Sequence, residues 1–211
     1  MRRAFTLIEM IFTMIIVGLV FMVVPKIIFV TNKSFETVMK EDALFNAISL
    51  MGIVSSLPWD DNNTRYDAIL ATDSLQAAYL CDASTGYYRI GGFKGGRSCI
   101  ENGATAGATS IGREGSLYND IDDYDGYSVL TSTPAGPKYE INVTVRYLQD
   151  PAPGGSVDLS ALSVAAGRSN IKEVNVTVTN ASSNTRSRFR SSIYYHSANI
   201  GQTYIHKRAW R

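Results

Sequence analysis

The run from Leu7 to Val24 is apolar at every position except Glu9 and Thr13. A helix needs about 17 to 20 such residues to cross the hydrocarbon core of a bilayer, so this segment is expected to span a membrane. A secretory signal would follow its apolar core with a small-residue cleavage site. Here the run continues into Val23-Val24-Pro25-Lys26-Ile27-Ile28-Phe29-Val30, so cleavage after it is not expected. Arg2 and Arg3 immediately precede it. By the positive-inside rule the amino terminus lies in the cytoplasm and everything beyond Lys26 lies outside. The expected topology is single-pass, with an extracytoplasmic head.

Glu9 is the anomaly in this segment. A carboxylate inside a membrane helix costs about 2.5 to 3.5 kcal/mol on insertion scales, and more when unpaired at depth. One local compensation is a capping box: Thr6-x-x-Glu9 has the spacing in which each side chain satisfies a free amide of the first turn.

Arg2-Arg3-Ala4 followed by Phe5-Thr6-Leu7-Ile8-Glu9-Met10 resembles the amino-terminal signal of type IV prepilins and type II secretion pseudopilins. The resemblance covers about the first 30 residues and departs at Ala4, where that family usually has Gly. It implies a leader, residues 1–4, removed by a prepilin peptidase that cuts between Ala4 and Phe5 and methylates the new amine of Phe5. It also implies that Glu9 serves assembly by neutralising the Phe5 amine of another subunit. Gly18 and Pro25 bracket the second half of the span. Proline removes one helical hydrogen bond and crowds the preceding turn, so a kink is expected there. In the family the corresponding stretch can lose helical order within the filament.

Past Lys26 the pattern becomes periodic. Phe35, Val38, Met39, Phe45, Ile48 and Met51 recur at helical spacing between Lys33, Lys40, Glu41 and Asp42, which predicts an amphipathic helix. Joined to the span, it gives one helix from about Thr6 to Ser55, ended by Leu57-Pro58. The expected organisation is a membrane half at 5–30, an amphipathic half at 31–57 and a globular head at 58–211.

Within the head, Lys138 to Leu148 alternates cleanly, with Tyr139, Ile141, Val143, Val145 and Tyr147 on one face. Val174, Val176 and Val178 repeat the pattern, as do Phe189, Ile193 and Tyr195, and Tyr127 to Thr131 adds a weaker strand. The expectation is an α+β fold in which an antiparallel sheet covers the helix, the architecture that the pilin resemblance implies independently.

Cys81 and Cys99 stand outside any CxxC spacing in a Gly-rich stretch. The pair suits a single disulfide in an exported domain, with two reduced thiols as the alternative. Asp120, Asp122, Asp123 and Asp125, followed by Gly126, concentrate carboxylates in one turn that would suit a hard cation such as calcium. The EF-hand pattern does not fit, since Ile121 falls at the first ligand position. Arg186, Arg188 and Arg190 alternate on one strand face. A net charge of +1 and the segregation of basic residues at Lys207, Arg208 and Arg211 do not predict a nucleic-acid partner. His196 and His206 are too isolated for a metal set, and no nucleophile and base pair, phosphate loop or dinucleotide fingerprint occurs, so no catalytic residues are expected.

The sequence therefore reads as a structural subunit of a type IV pilus or type II secretion pseudopilus. Its size points to a minor subunit, held in the inner membrane with its head in the periplasm before assembly. The expected partners are prepilin peptidase, other pilin or pseudopilin subunits and the inner membrane. The alternative is an envelope binding protein, for DNA uptake or surface adhesion, that uses the helix only as an anchor.

Overall fold

A computed structural model of the chain describes residues 6–64, 68–82, 87–89, 97–101, 104–133, 136–154, 156–181 and 189–201. Ala4 and Phe5, with Arg2 and Arg3, lie outside the described residues, as do Arg186, Arg188, His206, Lys207, Arg208 and Arg211. The chain divides into two compact units, Met1–Ala43 and Leu44–Arg211.

One helix, α1 (Leu7–Ser55), contributes to both units. Its first turn is closed by the Thr6 carbonyl, which accepts the amides of Glu9 at 3.1 Å and Met10 at 3.2 Å. The reciprocal side-chain exchange of a capping box is not formed among the described residues. The helix runs through Gly18 and Pro25 without interruption. Pro25 has no N–H, so the Phe21 carbonyl loses its usual donor while the helical path continues.

In the first unit, every apolar side chain from Leu7 to Val30 is exposed. At 1.5 Å per residue this stretch measures roughly 36 Å, enough to cross a hydrocarbon core of about 30 Å. The helix is long and apolar enough to span a membrane. Thr13 satisfies its hydroxyl internally by donating to the Met10 carbonyl at 2.8 Å, which lowers the cost of a polar side chain there.

In the second unit, the end of α1 buries Ala47, Met51 and Val54, while Phe45 and Ile48 remain 68% and 48% exposed. Of the expected stripe, Met51 is buried and Met39 half-buried, whereas Phe35, Val38, Phe45 and Ile48 are exposed. Asn46 donates to the Tyr139 hydroxyl at 2.8 Å, a tie from this segment to β6 that accompanies the inward placement of Ala47, Met51 and Val54. Because apolar residues occupy both sides of this segment, periodicity alone could not select the inward one.

The sheet contains β5 (Ser128–Thr133), β6 (Gly136–Leu148), β7 (Ile171–Asn180) and β8 (Arg190–Ala198), antiparallel and adjacent in chain order. They follow two short ladders, one of β1 (Cys81–Asp82) with β2 (Tyr88–Arg89), the other of β3 (Ile100–Glu101) with β4 (Ala104–Thr105). The alternating residues of β6 and β7 meet across the ladder: Ile141 lies opposite Val178, Val143 opposite Val176, and Val145 opposite Val174. All six are buried, as are Tyr139 and Tyr147. Each such valine contributes about 1.5 to 3 kcal/mol on burial. On the other face Glu173 accepts from Arg146 Nε at 2.6 Å and lies 3.1 Å from His196 Nε2, one polar row across three strands. Arg190 is exposed. A second apolar cluster unites Trp59, Leu70, Ala108 and Tyr147. The layout is α+β, with one long helix and an antiparallel four-stranded sheet.

Cys81 and Cys99 form a disulfide across a separation of 18 residues, with Cys99 fully buried. Closing a loop of that length is worth about 3 kcal/mol through unfolded-state entropy. Replacing both cysteines with serine is expected to lower unfolding stability by about that amount, read as a shift of the urea midpoint against the oxidised parent.

Candidate functional site

The acidic turn is held in place by its own backbone. Ile121 N–H donates to the Pro58 carbonyl at 3.1 Å, tying the turn to the segment that follows α1. Asp122–Tyr124 forms a single 3-10 turn, and Gly126 adopts φ +75°, a left-handed conformation that glycine takes without strain. Gly126 N–H then donates to the Val143 carbonyl at 3.1 Å, and Val143 N–H to the Tyr127 carbonyl at 2.8 Å, which docks the turn on β6.

The four aspartates of this turn have three different roles. Asp125 accepts the Val145 amide at 2.8 Å and so replaces a strand carbonyl at the edge of β6. Asp122 accepts Lys172 Nζ at 2.7 Å, with both side chains fully buried. Lys172 also donates to the Trp59 carbonyl at 2.7 Å, lies 3.4 Å from Asp60 Oδ2, and sits 4.2 Å from the centre of the Trp59 ring. The Thr109 hydroxyl lies 3.1 Å from one oxygen each of Asp60 and Asp122 and can donate its single proton to only one at a time. Tyr147 donates to the Thr109 carbonyl at 2.8 Å, and burial beside Asp122 and Asp60 pushes its phenol well above the usual range.

Asp120 and Asp123 behave differently from both. Asp120 Oδ1 accepts the Asp123 amide at 3.0 Å, and Asp123 Oδ2 accepts the amides of Asn119 at 2.8 Å and Asp120 at 3.3 Å. The second oxygen of each carboxylate, Asp120 Oδ2 and Asp123 Oδ1, is buried, and Asp120 shares a side-chain hydrogen bond with Asp122. Lys172 acts on Asp120 through its charge. Burial first, and next the charge of Asp122, push the Asp120 carboxyl up to about 8. Glu114 brings a third carboxylate from the solvent side, and carboxylate oxygens of Glu114, Asp120 and Asp123 lie within 4.8 Å of one another. Burial, followed by the charge of Asp122, raises the Glu114 carboxyl as well. The nearby Arg113 guanidinium lies over the Tyr118 ring at 5.0 Å.

Of the four aspartates expected to share one role, the turn thus sets Asp120 and Asp123 together and commits Asp122 and Asp125 elsewhere. Sequence reasoning missed Glu114, Asp60 and Lys172. Lys172 left a signal: it falls in phase with Val174, Val176 and Val178, so strand alternation alone places a cation on the buried face. Glu114 left none, because it precedes the turn on a stretch without periodicity.

Glu9 lies in the first turn of α1 and is exposed, the one acidic residue between Leu7 and Val30. In comparisons with known proteins, no family model, no curated protein and no solved structure matches this chain.

Proposed function

We propose that this chain is a structural subunit of a type IV pilus-like or type II secretion pseudopilus filament. Residues 7–30 hold it in the inner membrane with its head in the periplasm. A prepilin peptidase removes residues 1–4 and methylates Phe5. The membrane helix then packs among the helices of other subunits.

The observation that carries this reading is the continuity of the Phe5-Thr6-Leu7-Ile8-Glu9 signal with a helix that exposes apolar side chains all round. A helix of that kind is stable only where lipid or other helices surround it. Its single carboxylate, four positions after Phe5, matches a partner amine supplied by a neighbouring subunit in low dielectric. The apolar surface also extends past the membrane half, with Phe35, Val38, Phe45 and Ile48 exposed. An anchor alone has no use for that extension, whereas helix packing in a filament would bury it.

Mass spectrometry of the amino terminus of the chain recovered from membranes tests the reading. The expected product begins at methylated Phe5. An intact leader would reject it in favour of an anchored binding protein.

A further inference from the structure

We propose that the free edge of β8 is a self-association site, where β8 of a second copy of this chain adds antiparallel in a register centred on Tyr194. The sheet ends at β8. Opposite residues of an antiparallel pair alternate between those that exchange backbone hydrogen bonds and those that do not. At the two ends of the β7–β8 ladder, Asn180 N–H donates to the Phe189 carbonyl at 3.2 Å and Asn199 N–H to the Asn170 carbonyl at 2.9 Å. The alternation therefore aims the backbone of Ser191, Ile193, Tyr195 and Ser197 at β7. It turns the amides and carbonyls of Arg190, Ser192, Tyr194, His196 and Ala198 outward, where none has a hydrogen-bond partner among the described residues.

The two edges of the sheet are not alike. At the opposite edge, β5 is six residues long, and its ladder shifts register between Thr131 and Ser132. Irregularities of this sort protect an edge from pairing. β8 keeps one unbroken register with β7 over nine residues and carries no proline or lysine. An edge so regular is a template for another strand. Its core-facing side chains are also short of cover: Ile193 and Tyr195 are half-buried, whereas Val176 and Val174 directly opposite them are fully buried. On the other face Tyr194 is 55% exposed.

Self-complementarity selects a second copy as the occupant. When Tyr194 lies opposite Tyr194 of the second copy across a two-fold axis, Ser192 falls opposite His196 and Arg190 opposite Ala198, so no like charges meet. Ile193 then lies opposite Tyr195 of the other copy on both sides of the axis, a β-branched and aromatic pair of the favoured kind. Every outward backbone group falls opposite another outward one, as an antiparallel ladder requires. A slip by one residue would oppose outward groups to inward ones and set Ile193 on the wrong face. The contact uses the same patch on both copies and closes as a dimer, so it does not rest on filament assembly.

Cysteine cross-linking in membranes that carry the full-length chain tests the pairing, read on non-reducing gels after mild oxidation. Tyr194→Cys should give a disulfide-linked dimer, because opposite hydrogen-bonded residues have Cα atoms about 5.5 Å apart, within the reach of a disulfide. Arg190→Cys alone and Ala198→Cys alone should stay monomeric, since the two copies of either position lie roughly 26 Å apart along the strands. The chain with both substitutions should link again, because each position faces the other across the axis. No dimer from Tyr194→Cys, or an equal yield from Arg190→Cys, would overturn the pairing. Tyr194→Pro in the double-cysteine chain removes an outward N–H and leaves the β7 ladder intact, a placement that edge strands tolerate, and the link should disappear. Tyr194→Lys keeps the backbone and opposes two like charges at the axis; it should abolish the link as well, and a link that persists in it would overturn the site. An uncut leader would reject the filament reading and leave all of these outcomes unchanged.

Discussion

Lys172→Met is expected to cost about 3 to 5 kcal/mol of unfolding stability, the characteristic loss when one partner of a buried ion pair is removed. The side chains of Lys172, Asp60 and Asp122 are all fully buried. Methionine replaces the stem of the lysine at similar volume, so the change leaves no large cavity and isolates the charge. What remains is two buried carboxylates with only Thr109 and backbone amides to stabilise them. The Trp59 carbonyl also loses its donor at 2.7 Å. Adding Asp60→Asn and Asp122→Asn to Lys172→Met should recover most of the loss, since an uncharged set costs far less to bury than an unbalanced one. Urea unfolding of the detergent-solubilised chain measures both effects. A loss below about 1 kcal/mol, the size of an exposed ion pair, would show that the triad is solvated.

That triad marks where sequence reading stops. The strands are legible because alternation is a local property: Tyr139, Ile141, Val143, Val145 and Tyr147 announce their face, and all five are buried. The end of α1 at Ser55 is equally legible, since the residue before Pro58 is biased away from helical backbone. The rotation of α1 was not, because Phe45 and Ile48 satisfy helical periodicity as well as Ala47, Met51 and Val54 do. Contacts distant in sequence, such as that of Asn46 with Tyr139, distinguish the two. The cysteine pair was legible only as two alternatives, a Cys81–Cys99 disulfide or two reduced thiols, and the structure has the disulfide.

The acidic turn shows the same division at finer scale. Its composition points to a cation, yet the roles of its members depend on partners far away in sequence. Asp122 is taken by Lys172, 50 positions on, and Asp125 by Val145, 20 positions on. Asp120 and Asp123 are held by amides only three or four residues away. Local bonds could be anticipated from the Asp-x-x-Asp spacing, while the long-range ones could not. Glu114 joins through the path of an irregular segment that no periodicity describes.

Glu9→Ala is expected to leave leader removal and Phe5 methylation intact and to reduce filament incorporation by on the order of a hundredfold. The size follows from the proposed pairing. A carboxylate left alone in a membrane helix costs about 2.5 to 3.5 kcal/mol, and a pairing that offsets this on subunit addition is worth a similar amount. The direction at each step separates assembly from insertion. Alanine removes the burial penalty, so the variant should enter and remain in the membrane at least as well as the parent, and its loss should appear only in the sheared filament fraction. Glu9→Gln keeps the shape without the charge and should show the same defect, which assigns the effect to neutralisation of the neighbouring amine. Glu9→Asp keeps the charge one methylene shorter and should recover part of the incorporation. Immunoblots of membrane and filament fractions, with mass spectrometry of the amino terminus, read all three variants. Normal incorporation of Glu9→Gln would remove the pairing role, and an uncut leader in any of them would place Glu9 at the peptidase step instead.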